Sequence, residues 1–297
     1  MTGLLAKNMF ASVRGPVKSL LRGASSRGIN CHFPREEAQV LEAVQKNFPG
    51  AETAAEIESR VAHVLEREGF TNDNTLFCQS CCPDEINREV PSQDIIAMLH
   101  HRWGEMFTLG GLAGIPFTGV TGWKAFSAHV PIGGNIVLLY GPHVGVDRDN
   151  SVGFVTRSGQ VDPSHACGAA IAALSSVRQG QTHPTGCFDD QQAAIVEMLP
   201  NYQSYIDEAD DEMAGLSYAT FYMIQDYLKK IVSTDIGGGK IAFLGGIIVN
   251  ITDPTIDRFL PLSFEVFDPK SDSATDFLPQ VVPSKTHIHG GISKSLF

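Results

Sequence analysis

Apolar and polar positions alternate along this chain in two different periods. Through EEAQVLEAVQKNF and AETAAEIESRVAHVLEREGF the apolar residues recur every three or four positions, with Ile57, Val61, Val64 and Leu65 on one face. That spacing predicts two amphipathic helices between residues 36 and 69. After Gly69 the period changes: TLFCQS is a short apolar run that stops at Cys81-Cys82-Pro83, as a strand does where proline removes a ladder donor. A helix is expected from Ser92, whose hydroxyl suits a cap for PSQDIIAMLHHRWGEMF.

The glycine-rich stretch LGGLAGIPFTGVTGWKAF implies backbone held close to a packed helix or a ligand. NIVLLYGPHVGV carries four successive apolar residues at Ile136–Leu139, the pattern of a buried parallel strand, and is expected to end in a functional turn at Gly141-Pro142-His143. The alanine-rich CGAAIAALSSVRQG predicts a helix that begins at or just after Cys167, and a further helix is expected over residues 212–231. KIAFLGGIIVNI and FLPLSFEVF, separated by the turn-rich TDPTIDR, read as a hairpin or edge addition. Strands alternating with helices define an α/β fold with a mainly parallel central sheet flanked by helices and a C-terminal antiparallel addition.

Charge divides the chain. Lys7, Arg14, Lys18, Arg22, Arg27 and Arg35 lie before the first acidic residue, Glu36, in a segment of Leu, Ala, Ser and Arg. Residues 1–35 therefore read as an organellar transit peptide, with residues 36–297 as one domain. A matrix location follows, in the mitochondrion or the chloroplast stroma. The whole chain has 22 basic and 33 acidic residues, and the body without its leader is more acidic still. Such a body repels phosphate backbones, which excludes nucleic acid as a partner. Apolar runs such as IAFLGGIIVNI are shorter than the roughly 20 residues of a spanning helix, so no membrane span is expected.

Cys31, Cys78, Cys81, Cys82, Cys167 and Cys187, in a chain without a secretory signal, point to metal ligands or free thiols rather than a disulfide framework. Cys82-Pro83-Asp84-Glu85-Ile86-Asn87-Arg88 follows a predicted strand and places a thiolate, a carboxylate and a guanidinium together where ligands of open α/β sheets gather. His143 and Cys167 also end or follow predicted elements. Two thiolates and one imidazole would leave one tetrahedral position open, the pattern of catalytic zinc. Other readings stand beside this one: buried structural cysteines, a loop histidine, and a CxxC redox pair or half zinc site at Cys78 and Cys81. No second CxxC is present to complete such a zinc site.

GFTNDNTLFCQSCCPDEINR, FTLGGLAGIPFTGVTGWKAFSAHVP, IVLLYGPHVGV, SHACGA and FLGGIIVNI, in this order over residues 40–270, resemble the limiting-CO2-inducible protein B/C family, which groups with β-type carbonic anhydrases and overlaps the theta type. The resemblance implies a β-carbonic-anhydrase-like fold and zinc-dependent interconversion of carbon dioxide and bicarbonate, in which a zinc-polarised water adds to carbon dioxide. It implies Zn2+ on Cys82, His143 and Cys167, with Asp84 and Arg88 in place of the Asp–Arg dyad of β-type enzymes. It also implies a homodimer or paralogue heterodimer, and it leaves open a non-catalytic zinc-binding subunit of a carbon-concentrating complex. Two features depart from the β-type pattern. Arg88 stands four residues after Asp84 instead of two, and His165, two before Cys167, rivals His143 as the ligand. Phe107, Leu112, Phe117 and Trp123 are candidate pocket walls or plain core.

Overall fold

A computed structural model of the chain describes residues 33–88, 93–181 and 188–282. The predicted leader up to residue 32 and the capping Ser92 lie outside these residues, as do Cys31 and Cys187. In chain order the elements are α1 (Phe33–Asn47), β1 (Glu52–Thr53), α2 (Ala54–Arg67), β2 (Thr75–Cys81), α3 (Ile95–Trp103), β3 (Met106–Thr108), α4 (Gly119–Ser127), β4 (Asn135–Gly141), β5 (His143–Val146), β6 (Phe154–Val155) and β7 (Ser164–His165). They continue with α5 (Gly168–Arg178), α6 (Asp190–Met198), α7 (Gln203–Asp207), α8 (Glu212–Ile231), β8 (Ile241–Ile251), β9 (Arg258–Asp268), β10 (Ser273–Asp276) and α9 (Leu278–Val281).

The central sheet runs β1-β9-β8-β4-β2-β3, with β5 also on β8 and β10 on β9. β3, β2, β4, β5 and β8 are joined by parallel ladders, whereas β9 lies antiparallel to β8, β1 and β10. A mainly parallel sheet with a C-terminal antiparallel edge is thus confirmed. One detail differs from the sequence reading. KIAFLGGIIVNI is no edge addition: β8 is the central strand that carries β4 and β5 on one side and β9 on the other. Its uninterrupted apolar run fits burial on both faces.

Side chains of β4 show how the sheet splits the core. Ile136, Leu138 and Tyr140 enter one cluster with α1, α4, α5 and α8, while Val137 and Leu139 enter the opposite one with α2, α3 and α9. This is the period-two alternation of a strand with two buried faces, each large side chain contributing about 1.5–3 kcal/mol. On the second face, α2 buries Ile57, Val61, Val64 and Leu65, the stripe read from the sequence. Its first turn is closed by a reciprocal capping box between Thr53 and Glu56. α8 spans residues 212–231 as expected, its free amides at Met213 and Ala214 capped by Asp211.

α3 is shorter than expected. It starts at Ile95 and stops at Trp103, because Gly104 takes a left-handed φ of 82° and the following residues join the sheet edge as β3. Among the described residues, no helix is long and apolar enough to cross a membrane.

Candidate metal centre

β2, β4 and β5 bring the site together. The predicted turn at Gly141-Pro142-His143 is instead a kink, after which the chain carries on along the same neighbour: Ile136–Tyr140 pair with Ile241–Gly245, and His143–Val146 pair with Ile248–Ile251. Opposite the kink, β8 slips register between Gly245 and Gly246. The two backbones meet so closely that a Cβ on Gly141 would stand 1.7 Å from the Gly246 carbonyl oxygen. Glycine is required at that crossing by space as well as by the φ of 153° at Gly141. The glycine-rich LGGLAG is explained the same way, for a Cβ on Gly110 would fall 2.4 Å from the Cys81 carbonyl oxygen. Gly110 and Gly114 pack on strand backbone.

At the end of this frame Cys82, His143 and Cys167 form a buried group whose ligand atoms all lie within 4.8 Å of one another. Cys82 follows directly on β2, with its carbonyl accepting from Asn87 Nδ2 at 3.3 Å. Cys167 occupies the N-cap position of α5, as the sequence predicted. His143 opens β5. The rival His165 is exposed on β7, its ring 4.7 Å from that of Phe154, and it is not a member of the group.

The donor chemistry fits a metal ion. Sγ of Cys82 and Sγ of Cys167 are 3.7 Å apart, too far for a disulfide and close to the roughly 3.8 Å that two thiolates about 2.3 Å from a tetrahedral zinc would show. Nε2 of His143 is buried with no hydrogen-bond partner, an orphan that a metal would satisfy. Nδ1 of the same ring lies 2.8 Å from Asn250 Oδ1, and Asn250 Nδ2 donates to Asp257 Oδ2 at 3.0 Å.

The two thiols are shifted in opposite directions. The Cys167 thiol is lowered, first by its hydrogen bond with Cys82 and then, against burial, by the free amides of Ala170 and Ala169 at the start of α5. Cys82 is pushed well up by the same bond to Cys167 and by burial. Burial by itself would depress the His143 imidazolium, yet the proximity of Cys82, with smaller contributions from Asp84 and Asn250, raises it.

Asp84 stands beside this group, its Oδ2 3.6 Å from His143 Nε2. Its guanidinium partner is Arg157, whose Nη2 donates to Oδ2 at 2.8 Å, with both side chains about 85% buried (14% and 15% exposed). Arg157 Nε also lies 3.3 Å from Glu85 Oε1, and Nη2 reaches the His165 carbonyl oxygen at 3.3 Å. The arginine thereby ties the Asp84 turn to the β6–β7 hairpin. The backbone of Arg88 closes the short 3-10 turn Glu85–Arg88, and its side chain lies outside the described residues.

A cleft beside the site is lined by His143, Val144, Cys167, Ala170, Leu216 and Thr220, among others. The aromatic residues weighed as pocket walls or plain core pack in the core. Trp123 packs on Phe126 and donates to the Ser233 carbonyl, Phe107 also meets Phe126, and Phe117 meets Tyr227. The CxxC redox reading also fails on geometry, since Cys78 and Cys81 are buried in clusters on opposite faces of the sheet.

Sequence reasoning missed two residues, Arg157 and Asn250. Arg157 is one cation in a loop and carries no spacing signal. Asn250 did carry one: it is the single polar residue in the apolar run IAFLGGIIVNI, and such a residue in a buried strand needs a partner.

Together the fold and site define an α/β protein with a buried Cys-His-Cys centre, able to hold a metal, at the carboxyl ends of parallel strands. Residues 51–268 match the family of limiting CO2-inducible proteins B/C, β carbonic anhydrases, and the chain belongs to that family. It is similar to the crystal structure of PtLCIB4, a homolog of the limiting CO2-inducible protein LCIB, with a TM-score of 0.71 and 35% identity, over 80% of this chain and 98% of that chain. The crystal structure of LCIB shares the fold, with a TM-score of 0.60 and 21% identity over 78% of this chain and 96% of that one. No curated protein matches the chain.

Proposed function

We propose that this protein catalyses the reversible hydration of carbon dioxide to bicarbonate, with one zinc ion held by Cys82, His143 and Cys167. The observation that carries the reading is the orphaned His143 Nε2, grouped with two thiols and flanked by an ionic Asp84–Arg157 pair. Bound there, zinc would act as a Lewis acid that brings the pKa of a water molecule toward 7.

The chain's own residues supply the rest. Two thiolates and a neutral imidazole cancel the charge of a divalent ion, so the centre is a weaker acid than one with three histidines and benefits from a proton acceptor close by. Asp84 is that acceptor. Its Oδ2 accepts a hydrogen bond from the reacting water and so turns an oxygen lone pair toward carbon dioxide. Arg157 fixes the direction of the carboxylate. The apolar side chains of Val144, Ala170 and Leu216 line the cleft and suit a small uncharged substrate.

The same reading keeps Arg88 as a second candidate cation at the dyad. It also takes the basic segment before Glu36 as a leader for an organelle matrix, mitochondrion or chloroplast stroma, and the active form as a homodimer or paralogue heterodimer. Import assays and mass measurement in solution test these. The activity is tested by stopped-flow carbon dioxide hydration, with zinc content measured in parallel for the parent, Cys82→Ser and His143→Ala. Loss of zinc and activity together in the variants supports the assignment; unchanged zinc in both overturns it.

A further inference from the structure

Asn250 is fully buried in β8, and its contact with His143 follows from the sheet. His143 pairs with Ile248, so Asn250, two residues further along, projects from the same face as Ile248. Its amide can be oriented in only one sense. Asp257 Oδ1 accepts from the Ile251 amide at 2.7 Å, and Oδ2, 3.0 Å from Asn250, accepts from the Asn250 NH2 group. A carboxylate cannot donate, so the amide nitrogen must face Asp257 and the amide oxygen must face His143. That oxygen, 2.8 Å from Nδ1, only accepts, so the neutral imidazole carries its proton on Nδ1 and its lone pair on Nε2.

We infer that Asn250, oriented by Asp257, is the positioning residue that fixes the His143 tautomer and so presents Nε2 to the metal centre. This rests on the metal-binding part of the function proposed above, and not on turnover. The relay differs from a direct carboxylate–histidine pair in one respect. A neutral amide stands between Asp257 and the ring, so the ring is oriented without a full negative charge against it.

The test uses zinc affinity, measured by competition with a chromophoric chelator, and the histidine tautomer, read by 15N NMR of the full chain. Asn250→Ala should weaken zinc binding by roughly 10–100-fold. In the metal-free parent above its titration, His143 should show a protonated Nδ1, and in this variant a mixture of tautomers. The reciprocal exchange, Asn250→Asp with Asp257→Asn, keeps one carboxylate and one amide but swaps their places. An acceptor then still faces Nδ1, and a donor at position 257 faces the new carboxylate.

The exchange should recover most of the affinity lost in Asn250→Ala, and it decides the matter even where that single variant fails to fold. Parent-like zinc affinity in Asn250→Ala, an Nε2-protonated ring in the parent, or a folded exchange variant that binds zinc roughly 10–100-fold more weakly than the parent would each overturn the inference. Failure of the functional reading looks different: zinc binds and the tautomer behaves as stated, but carbon dioxide is not hydrated.

Discussion

Arg157 holds Asp84 at 2.8 Å from 73 positions further along the chain, on the side of the carboxylate that also faces His143 Nε2 at 3.6 Å. The ion pair joins the turn after β2 to the β6–β7 hairpin, where Ile86 of the turn also packs with Val155 and Ala166.

Arg157→Ala should therefore reduce carbon dioxide hydration by roughly 10–100-fold while the protein still binds one zinc. Arg157→Lys should recover part of the loss, because an ammonium keeps the charge but not the forked geometry. Arg88→Ala, measured beside them, assigns the dyad: the larger fall in kcat/KM marks the cation that works through Asp84. Equal loss of zinc and activity in Arg157→Ala would show that it only holds the fold.

Asp84→Asn keeps the shape of the side chain and removes its ability to accept a proton. The expected result is a fall in kcat of roughly 10²–10⁴-fold with zinc content unchanged. A variant with parent-like kcat at all pH values would remove Asp84 from the reaction.

Zinc affinity should rise with pH. The Cys82 thiol is pushed up and the His143 imidazolium is raised, so in the metal-free protein both hold protons to higher pH than free side chains would. Zinc must displace those protons, and each one displaced makes binding about tenfold weaker per unit fall in pH. Isothermal titration calorimetry in buffers of different ionisation enthalpy counts the protons released. A count of zero near neutral pH contradicts the thiolate ligand set.

Gly141→Ala tests the kink that aims His143. The added methyl would meet the Gly246 carbonyl oxygen, a backbone atom that cannot turn aside. Chemical denaturation should show a loss of about 3 kcal/mol or more, the range of severe overpacking and backbone strain. A stable variant would mean that β4 and β8 part easily at this point.

Much of this arrangement can be read in the sequence because it follows from local patterns. The stripe of Ile57, Val61, Val64 and Leu65 defines α2, and the alanine-rich run after Cys167 defines α5 with the cysteine at its cap. The Cys82-Pro83-Asp84 stop marks a strand end. The kink at Pro142 was not legible as a kink, since a proline after four apolar residues looks like a strand terminus; only pairing of both halves with β8 shows that the strand resumes. Position in the sheet was hidden too, because β8 reads equally well as an edge or a centre until its neighbours are known. Arg157 lay beyond sequence reasoning for a simpler reason: its partner is set by how a hairpin folds over the site, and one arginine in a loop carries no trace of that.

On the proposed reading, one zinc at Cys82, His143 and Cys167 makes this chain a carbonic anhydrase. Zinc added back in known amounts to metal-free protein, with stopped-flow hydration measured at each step, decides this. Activity should rise in proportion to zinc and stop at one ion per chain. One tightly bound zinc per chain with hydration no faster than buffer would contradict it.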